Sequence, residues 1–126
     1  MTCVLDASAL LAYLRREPGF EHVGLVLEEA LISSVNWSEV LQKGARYDLP
    51  VDSIAAYLGE VGLGIEAFTA GQAERAARLW SSTKGFGLSL ADRACLALAL
   101  EKEAPVLTAD RNWSRLAPDI EIRVIR

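Results

Sequence analysis

The sequence Thr2-Cys3-Val4-Leu5-Asp6 combines a predicted strand with an acidic residue at its end, a pattern that is typical of α/β folds. Thr2 to Leu5 is a short apolar run of strand-forming residues, which predicts a buried strand. Asp6 places a carboxylate directly at the end of that strand. Ser8 is a candidate N-cap for the helix that we predict from Ala9 to about Arg16. The chain therefore begins with a strand, an acidic residue and a helix.

The same alternation continues along the chain. Further strands are predicted at residues 30–32, 65–68, 105–108 and 120–124, the last with the period-two pattern of an edge strand. Helices are predicted at residues 20–29, 35–47 and about 50–61, after Thr69 and after Ser89, with a turn or short helix at 110–116. Strands that alternate with helices predict an α/β fold with a mostly parallel central sheet of about five strands flanked by helices. The length of 126 residues fits a single domain over residues 1–126.

The composition argues against a disordered, a membrane-spanning or a secreted protein. Apolar residues make up 52% of the chain, which argues against disorder, and no apolar stretch reaches membrane-spanning length. The N-terminus lacks the pattern of a secretion signal. Cys3 and Cys95 lie in apolar surroundings, as expected of buried free thiols in a reducing cytoplasm. The formal charge of −4 neither supports nor excludes a nucleic-acid ligand.

Four acidic residues are the candidate functional side chains: Asp6, Glu39, Asp92 and Asp110. The two outer aspartates follow predicted strands, and the other two acids lie in the predicted first turns of helices. In a parallel sheet these positions converge on the edge where the strands end. Carboxylates gathered in one pocket repel each other, and a hard divalent cation compensates for that repulsion. The pattern indicates a metal-dependent enzyme acting on phosphate esters.

Each acid also has an ordinary structural explanation. Asp6 and Asp110 could cap helices, and Ser89-x-x-Asp92 and Asn36-x-x-Glu39 could be capping boxes. The combination is harder to explain in that way, because burying bare carboxylates costs several kcal/mol each without a compensating charge. His22, the single histidine, is expected on a helix surface, which argues against a serine–histidine hydrolase.

The residues around the four acids resemble a known family. Val4-Leu5-Asp6-Ala7-Ser8 resembles the opening strand and helix of PIN-domain proteins, and residues 33–40 resemble their second motif. Leu88-Ser89-Leu90-Ala91-Asp92 resembles the third motif, and residues 107–113 resemble the fourth. The resemblance covers nearly the whole chain. The length of the chain is similar to that of the VapC-type toxins of toxin–antitoxin pairs.

The resemblance implies a PIN-like three-layer sandwich and a ribonuclease that uses Mg²⁺ or Mn²⁺ to hydrolyse RNA. It assigns Asp6, Asp92, Asp110 and Glu39 to the catalytic and metal-site positions, and Ser8 and Thr108 to supporting hydroxyl positions. It further implies a homodimer and inhibition by a small cognate antitoxin.

The residues after the first strand argue against two alternatives, and a third stays open. A phosphatase of the haloacid dehalogenase type needs a second aspartate two residues after the first, where this chain has Ser8. A receiver-type phosphoacceptor needs an acidic pair after the first strand, where Asp6 stands alone. A catalytically silent PIN-fold module that acts through protein contacts would keep the carboxylates only as caps.

Overall fold

The computed structural model of the protein describes residues 2–116 and 119–126. Within these residues, five strands form one sheet: β1 (Cys3–Leu5), β2 (Ala30–Ser33), β3 (Gly64–Glu66), β4 (Val106–Thr108) and β5 (Ile122–Val124). Every neighbouring pair is parallel, and the order across the sheet is β3-β2-β1-β4-β5. The predicted α/β fold with a parallel sheet is confirmed, and β5 lies at an edge as expected.

Helices connect the strands in the described ranges. They are α1 (Ala7–Arg15), α2 (Phe20–Val26), α3 (Ser34–Arg46), α4 (Val51–Val61), α5 (Ala70–Thr83) and α6 (Leu90–Lys102). Short 3-10 helices cover Leu27–Glu29, Lys84–Phe86 and Arg111–Arg115. None of the helices in residues 2–116 and 119–126 has the length and apolar character needed to cross a bilayer.

Side chains from alternate strand positions form two hydrophobic clusters, one on each face of the sheet. Cys3 and Leu5 belong to a cluster with the buried residues of α1, α2 and α3. Val4, between them, belongs to a second cluster that contains Leu96 of α6 and the fully buried Trp113. The sheet is therefore covered on both faces, which explains why the first strand is apolar at every position.

The sheet order reverses direction at its centre. The chain moves from β1 to β2 and β3 on one side, and then returns to place β4 on the other side of β1. In open α/β sheets, ligands bind outside the carboxyl ends of the strands at such a switch point. Asp6 follows β1, and Thr108 ends β4, so both lie at this position.

Several predicted element boundaries were wrong. The N-cap of α1 is Asp6 and not Ser8, because the Asp6 carboxylate accepts the backbone N–H of Ala9. The helix predicted over residues 20–29 ends at Val26 and continues as a 3-10 turn. The strand predicted at residues 65–68 is Gly64–Glu66. Thr69 does cap α5, and Ser89 caps α6.

Gly19, in the loop after α1, packs closely against the backbone of the C-terminal segment. Gly19 has φ +91°, and a Cβ there would overlap the backbone oxygen of Ile125. Gly19→Ala therefore combines left-handed backbone strain with a backbone clash. We expect it to lower the free energy of unfolding by at least about 2 kcal/mol in urea titration.

The matched control is Gly59→Ala on exposed α4, where an added Cβ meets no atom within 4 Å. It should stabilise the protein by up to about 1 kcal/mol, because alanine is the better helix former. Equal effects of the two substitutions would contradict this account of Gly19.

Candidate active site

The side chain of Asp6 lies at the switch point and is only 4% exposed. Its Oδ1 accepts hydrogen bonds from the Ser8 hydroxyl at 2.7 Å and from the Ala9 backbone N–H at 2.9 Å. Its Oδ2 accepts a hydrogen bond from the Thr108 hydroxyl at 2.8 Å. Residues from the ends of β1 and β4 and the start of α1 therefore hold this carboxylate in one orientation.

Burial raises the pKa of Asp6 from its ordinary value of 3.8 to about 6. The hydrogen bonds from Ser8, Ala9 and Thr108 oppose this shift, and the negative charge of Asp92 adds to it. The donors therefore do not fully compensate for the loss of water around the carboxylate. A cation beside Asp6 would supply the missing compensation.

Asp92 reaches the site from the first turn of α6. It completes a capping box, in which the Ser89 backbone N–H donates to Asp92 Oδ2 at 3.0 Å and the Asp92 backbone N–H donates to the Ser89 hydroxyl. The capping interpretation of this motif is thus confirmed. The same carboxylate also contributes to the raised pKa of Asp6, so its capping role does not remove it from the site.

The raised pKa of the buried Cys95 thiol shows which of the acids lie near it. Burial raises its pKa, and the negative charges of Asp6, Asp92 and Glu39 raise it further. Three of the four candidate acids therefore lie within electrostatic range of one buried group on α6. The thiol stays protonated at neutral pH, which agrees with the prediction of a buried free cysteine.

Glu39 lies in the second turn of α3 and not in the first, because α3 begins at Ser34 with Ser33 as its N-cap. The capping-box interpretation of Asn36 and Glu39 is therefore wrong. Asn36 is instead a buried link, 1% exposed, whose Nδ2 donates to Glu39 Oε1 at 3.2 Å and to the Ala91 carbonyl at 2.9 Å. It ties α3 to the first turn of α6, beside Asp92.

Sequence reasoning missed this role of Asn36, although a signal exists. The buried residues of α3 are Asn36, Val40 and Gly44, which follow each other at intervals of four. A polar side chain on such an otherwise apolar stripe needs partners inside the protein. Asn36 Oδ1 has no donor among the described residues, so it remains free to accept one more hydrogen bond.

Asp110 occupies a different environment. Its side chain is exposed, and its carboxylate caps the following 3-10 helix by accepting the Asn112 backbone N–H at 2.9 Å. Its own backbone N–H donates to the Thr108 hydroxyl at 3.0 Å. Asp110 is therefore coupled to Asp6 through one intervening hydroxyl group and lies at the rim of the site.

The site is not a preassembled metal cage. Among residues 2–116 and 119–126, no group of three or more histidine, cysteine, aspartate or glutamate side chains is placed to hold a metal ion. Mg²⁺ needs only one or two carboxylates, because it keeps several of its waters. Asp6, Asp92 and the unpartnered Asn36 Oδ1 are hard oxygen groups of the kind that Mg²⁺ and Mn²⁺ prefer, so the residues present fit such an ion.

A family model for the PIN domain matches residues 3–118 of the chain. The chain belongs to the PIN-domain family. The match spans all four predicted motifs, from Asp6 to Asp110. No curated protein matches the chain significantly.

Solved structures share this PIN-domain fold over almost the full length. A toxin–antitoxin complex from Klebsiella pneumoniae matches with a TM-score of 0.76 and 17% identity, covering 98% of each chain. VapBC2 from Rickettsia felis, bound to a promoter DNA fragment, matches with a TM-score of 0.73 and 19% identity, covering 98% of each chain. Mycobacterium tuberculosis VapC20, a sarcin–ricin loop cleaving toxin, matches with a TM-score of 0.70 and 16% identity, covering 90% of this chain and 93% of that chain.

The raised pKa of Asp6 predicts a specific dependence of stability on pH. Its unfolded value of 3.8 lies below its folded value of about 6, so the folded state binds the proton more tightly. This contribution to stability is complete below the unfolded value and is lost as pH rises through the folded value. The free energy of unfolding therefore falls by about 3 kcal/mol as pH rises through this range. In EDTA, Asp6→Asn should melt several degrees above wild type at about pH 7.5, and the difference should vanish near pH 4.

Asp110→Asn is the matched control, because it removes the same charge from an exposed cap. It should melt close to wild type over the whole pH range. A constant difference between Asp6→Asn and wild type at all pH values would show that the ionised carboxylate is not the source of the cost.

Proposed function

We propose that this PIN-domain protein is a Mg²⁺- or Mn²⁺-dependent endoribonuclease, the toxin of a VapBC-type toxin–antitoxin system. The observation that carries the proposal is the buried Asp6 carboxylate at the switch point, close enough to Asp92 for that charge to raise its pKa. Two ionised carboxylates in this position are stable together when a divalent cation binds between them. A hard divalent cation at this position suits the hydrolysis of phosphodiesters.

The residues have distinct roles in this proposal. Asp6 and Asp92 are the direct protein ligands of the ion, and Glu39 and Asp110 hold its waters or a second ion. Ser8 and Thr108 act as supporting residues, because their hydroxyl groups fix both oxygens of Asp6.

The bound ion would act as a Lewis acid that polarises the scissile phosphate and lowers the pKa of a coordinated water. The protein contributes the fixed position of Asp6, which the Ser8 and Thr108 hydroxyl groups and the Ala9 backbone N–H hold. Asn36 holds Glu39 against the start of α6, so that this third acidic side chain stays near Asp92.

RNA as the substrate is supported by the PIN-domain family and by similarity to a toxin that cleaves the sarcin–ricin loop. A small antitoxin as partner is supported by the toxin–antitoxin complexes among the structural neighbours. A homodimer, a cytoplasmic location and a single domain over residues 1–126 complete the proposal. The buried free thiols of Cys3 and Cys95 support a reducing compartment.

Removing one carboxylate tests the site directly. Asp92→Asn keeps an oxygen that can accept the Ser89 backbone N–H, so α6 should remain capped. It should nevertheless lower the rate of RNA cleavage by at least about 100-fold, because an amide does not compensate the ion's charge. Gel assays of a labelled RNA with Mn²⁺ would measure the loss.

Asp52→Asn is the control, because Asp52 is exposed on α4. This variant should cleave RNA at the wild-type rate. A folded Asp92→Asn protein that also cleaves at that rate would rule out the proposed site.

Chelation tests the metal separately. EDTA should abolish RNA cleavage by wild type, and added Mn²⁺ should restore it. Mn²⁺ should also raise the melting temperature of wild type but not that of Asp6→Asn, because the ion binds only the folded carboxylate pair. Cleavage that persists through exhaustive chelation would contradict metal dependence.

The alternative of a catalytically silent interaction module has one observation in its favour. Asp6 and Asp110 are N-caps and Asp92 completes the capping box of α6, so each would be retained for stability alone. That module would cleave no RNA at any Mn²⁺ concentration, and its stability would not respond to Mn²⁺. The burial of Asp6 favours the nuclease, because an exposed cap would serve the helix at lower cost.

A further inference from the structure

A basic cleft opens directly beside the acidic site. It has a volume of about 380 Å³ and includes Ser8, the residue whose hydroxyl donates to both oxygens of Asp6. Four cationic side chains line the cleft: Arg15, Lys43, Arg46 and Arg126. Among the described residues of the lining, Glu17 is the only acidic one, so their side chains carry a net charge of +3.

This charge is opposite in sign to that of the whole chain, which is −4. Glu17 is held by two of the arginines, with contacts to Arg15 at 3.1 Å and to Arg126 at 3.7 Å. No acidic side chain in the described part of the chain forms an ion pair with Lys43 or Arg46. These two cations therefore remain free to bind an anionic ligand.

Two helices build the cleft and connect it to the acidic site. Ser8 and Arg15 lie two turns apart on α1, which corresponds to about 10 Å of helix rise. Glu39 and Lys43 are four residues apart on α3, and they therefore lie on the same helix face. Each helix thus carries a residue of the acidic site nearer its N-terminus and a cation of the cleft nearer its C-terminus.

Tyr47 adds an aromatic surface to the cationic lining. Its side chain is 50% exposed, and the Arg15 guanidinium lies over its ring at 3.7 Å from the centroid. Proteins that bind single-stranded nucleic acids stack unpaired bases on exposed aromatic rings in basic grooves. A peptide partner has no comparable need for both an exposed aromatic ring and several cations.

We propose that this cleft binds the backbone of a single-stranded RNA segment next to the cleaved bond. Lys43 and Arg46 contact phosphates, and Tyr47 stacks against a base. The proposal rests on the nuclease function, and it names the binding residues and the strandedness of the substrate. The cleft thus brings a phosphodiester to Asp6 and Asp92, which would otherwise repel it.

Binding of a labelled single-stranded RNA oligonucleotide, measured by fluorescence anisotropy in EDTA, separates this proposal from catalysis. Lys43→Ala/Arg46→Ala should weaken binding at least about 10-fold and should reduce the slope of log affinity against log salt by about 1.4. Arg75→Ala/Arg78→Ala on α5 is the control with an equal change of charge. It should bind the RNA as wild type does.

Tyr47 provides a second, independent test. Tyr47→Ala should weaken RNA binding about 10-fold, whereas Tyr47→Phe should stay close to wild type because phenylalanine keeps the stacking face.

In cleavage assays the cleft variants should raise KM for a long single-stranded RNA. Their kcat should change little, because Asp6 and Asp92 are untouched.

Wild-type affinity for RNA in all of the cleft variants would overturn the proposal. So would unchanged RNA binding combined with loss of binding to poly-glutamate, because the cleft would then be a docking site for acidic protein segments. A wild-type protein that binds RNA through the cleft but never cleaves it with Mn²⁺ would refute the nuclease and still support the RNA-binding assignment.

Discussion

The burial of one carboxylate constrains the rest of the site. Asp6 must be placed where the backbone and two hydroxyl groups can hold it, and these donors come from the ends of β1 and β4 and from α1. They restrain the carboxylate without restoring its ordinary pKa, which burial raises to about 6. A side chain that is costly at neutral pH but useful for capping is best explained by a ligand that offsets its charge.

The sheet topology and the helix directions place the acidic site and the basic cleft side by side. Because β1 and β4 are neighbours, Asp6 and Thr108 meet although they are far apart in sequence. Because α1 and α3 both start near the acids, their C-terminal turns carry cations away from them and form the basic cleft. The acidic groups that we propose as metal ligands thus lie beside the basic groups that we propose as phosphate ligands.

Much of the fold could be predicted from the sequence, because its strands are compact apolar runs ended by polar or turn-forming residues. The cap of α1 was misassigned since Asp6 and Ser8 are both good caps, and spacing alone does not choose between them. The proximity of Asp6 and Asp92 followed from the parallel sheet. The spacing of Asn36 with Val40 and Gly44 indicates that its side chain is buried, but it does not identify its partners. Those partners and the basic cleft could not be predicted, because contacts between α3, α6 and the C-terminal segment exist only after packing.

We propose that a divalent cation compensates the negative charges of Asp6 and Asp92. Calorimetric titration with Mn²⁺ at about pH 6 and about pH 7.5 tests it most directly, since the ion must displace the proton that Asp6 binds near pH 6. We expect saturable binding that weakens at the lower pH with release of a proton, and no binding to the Asp6→Asn/Asp92→Asn double variant. Equal Mn²⁺ binding by wild type and the double variant, or no binding by either, would contradict the account.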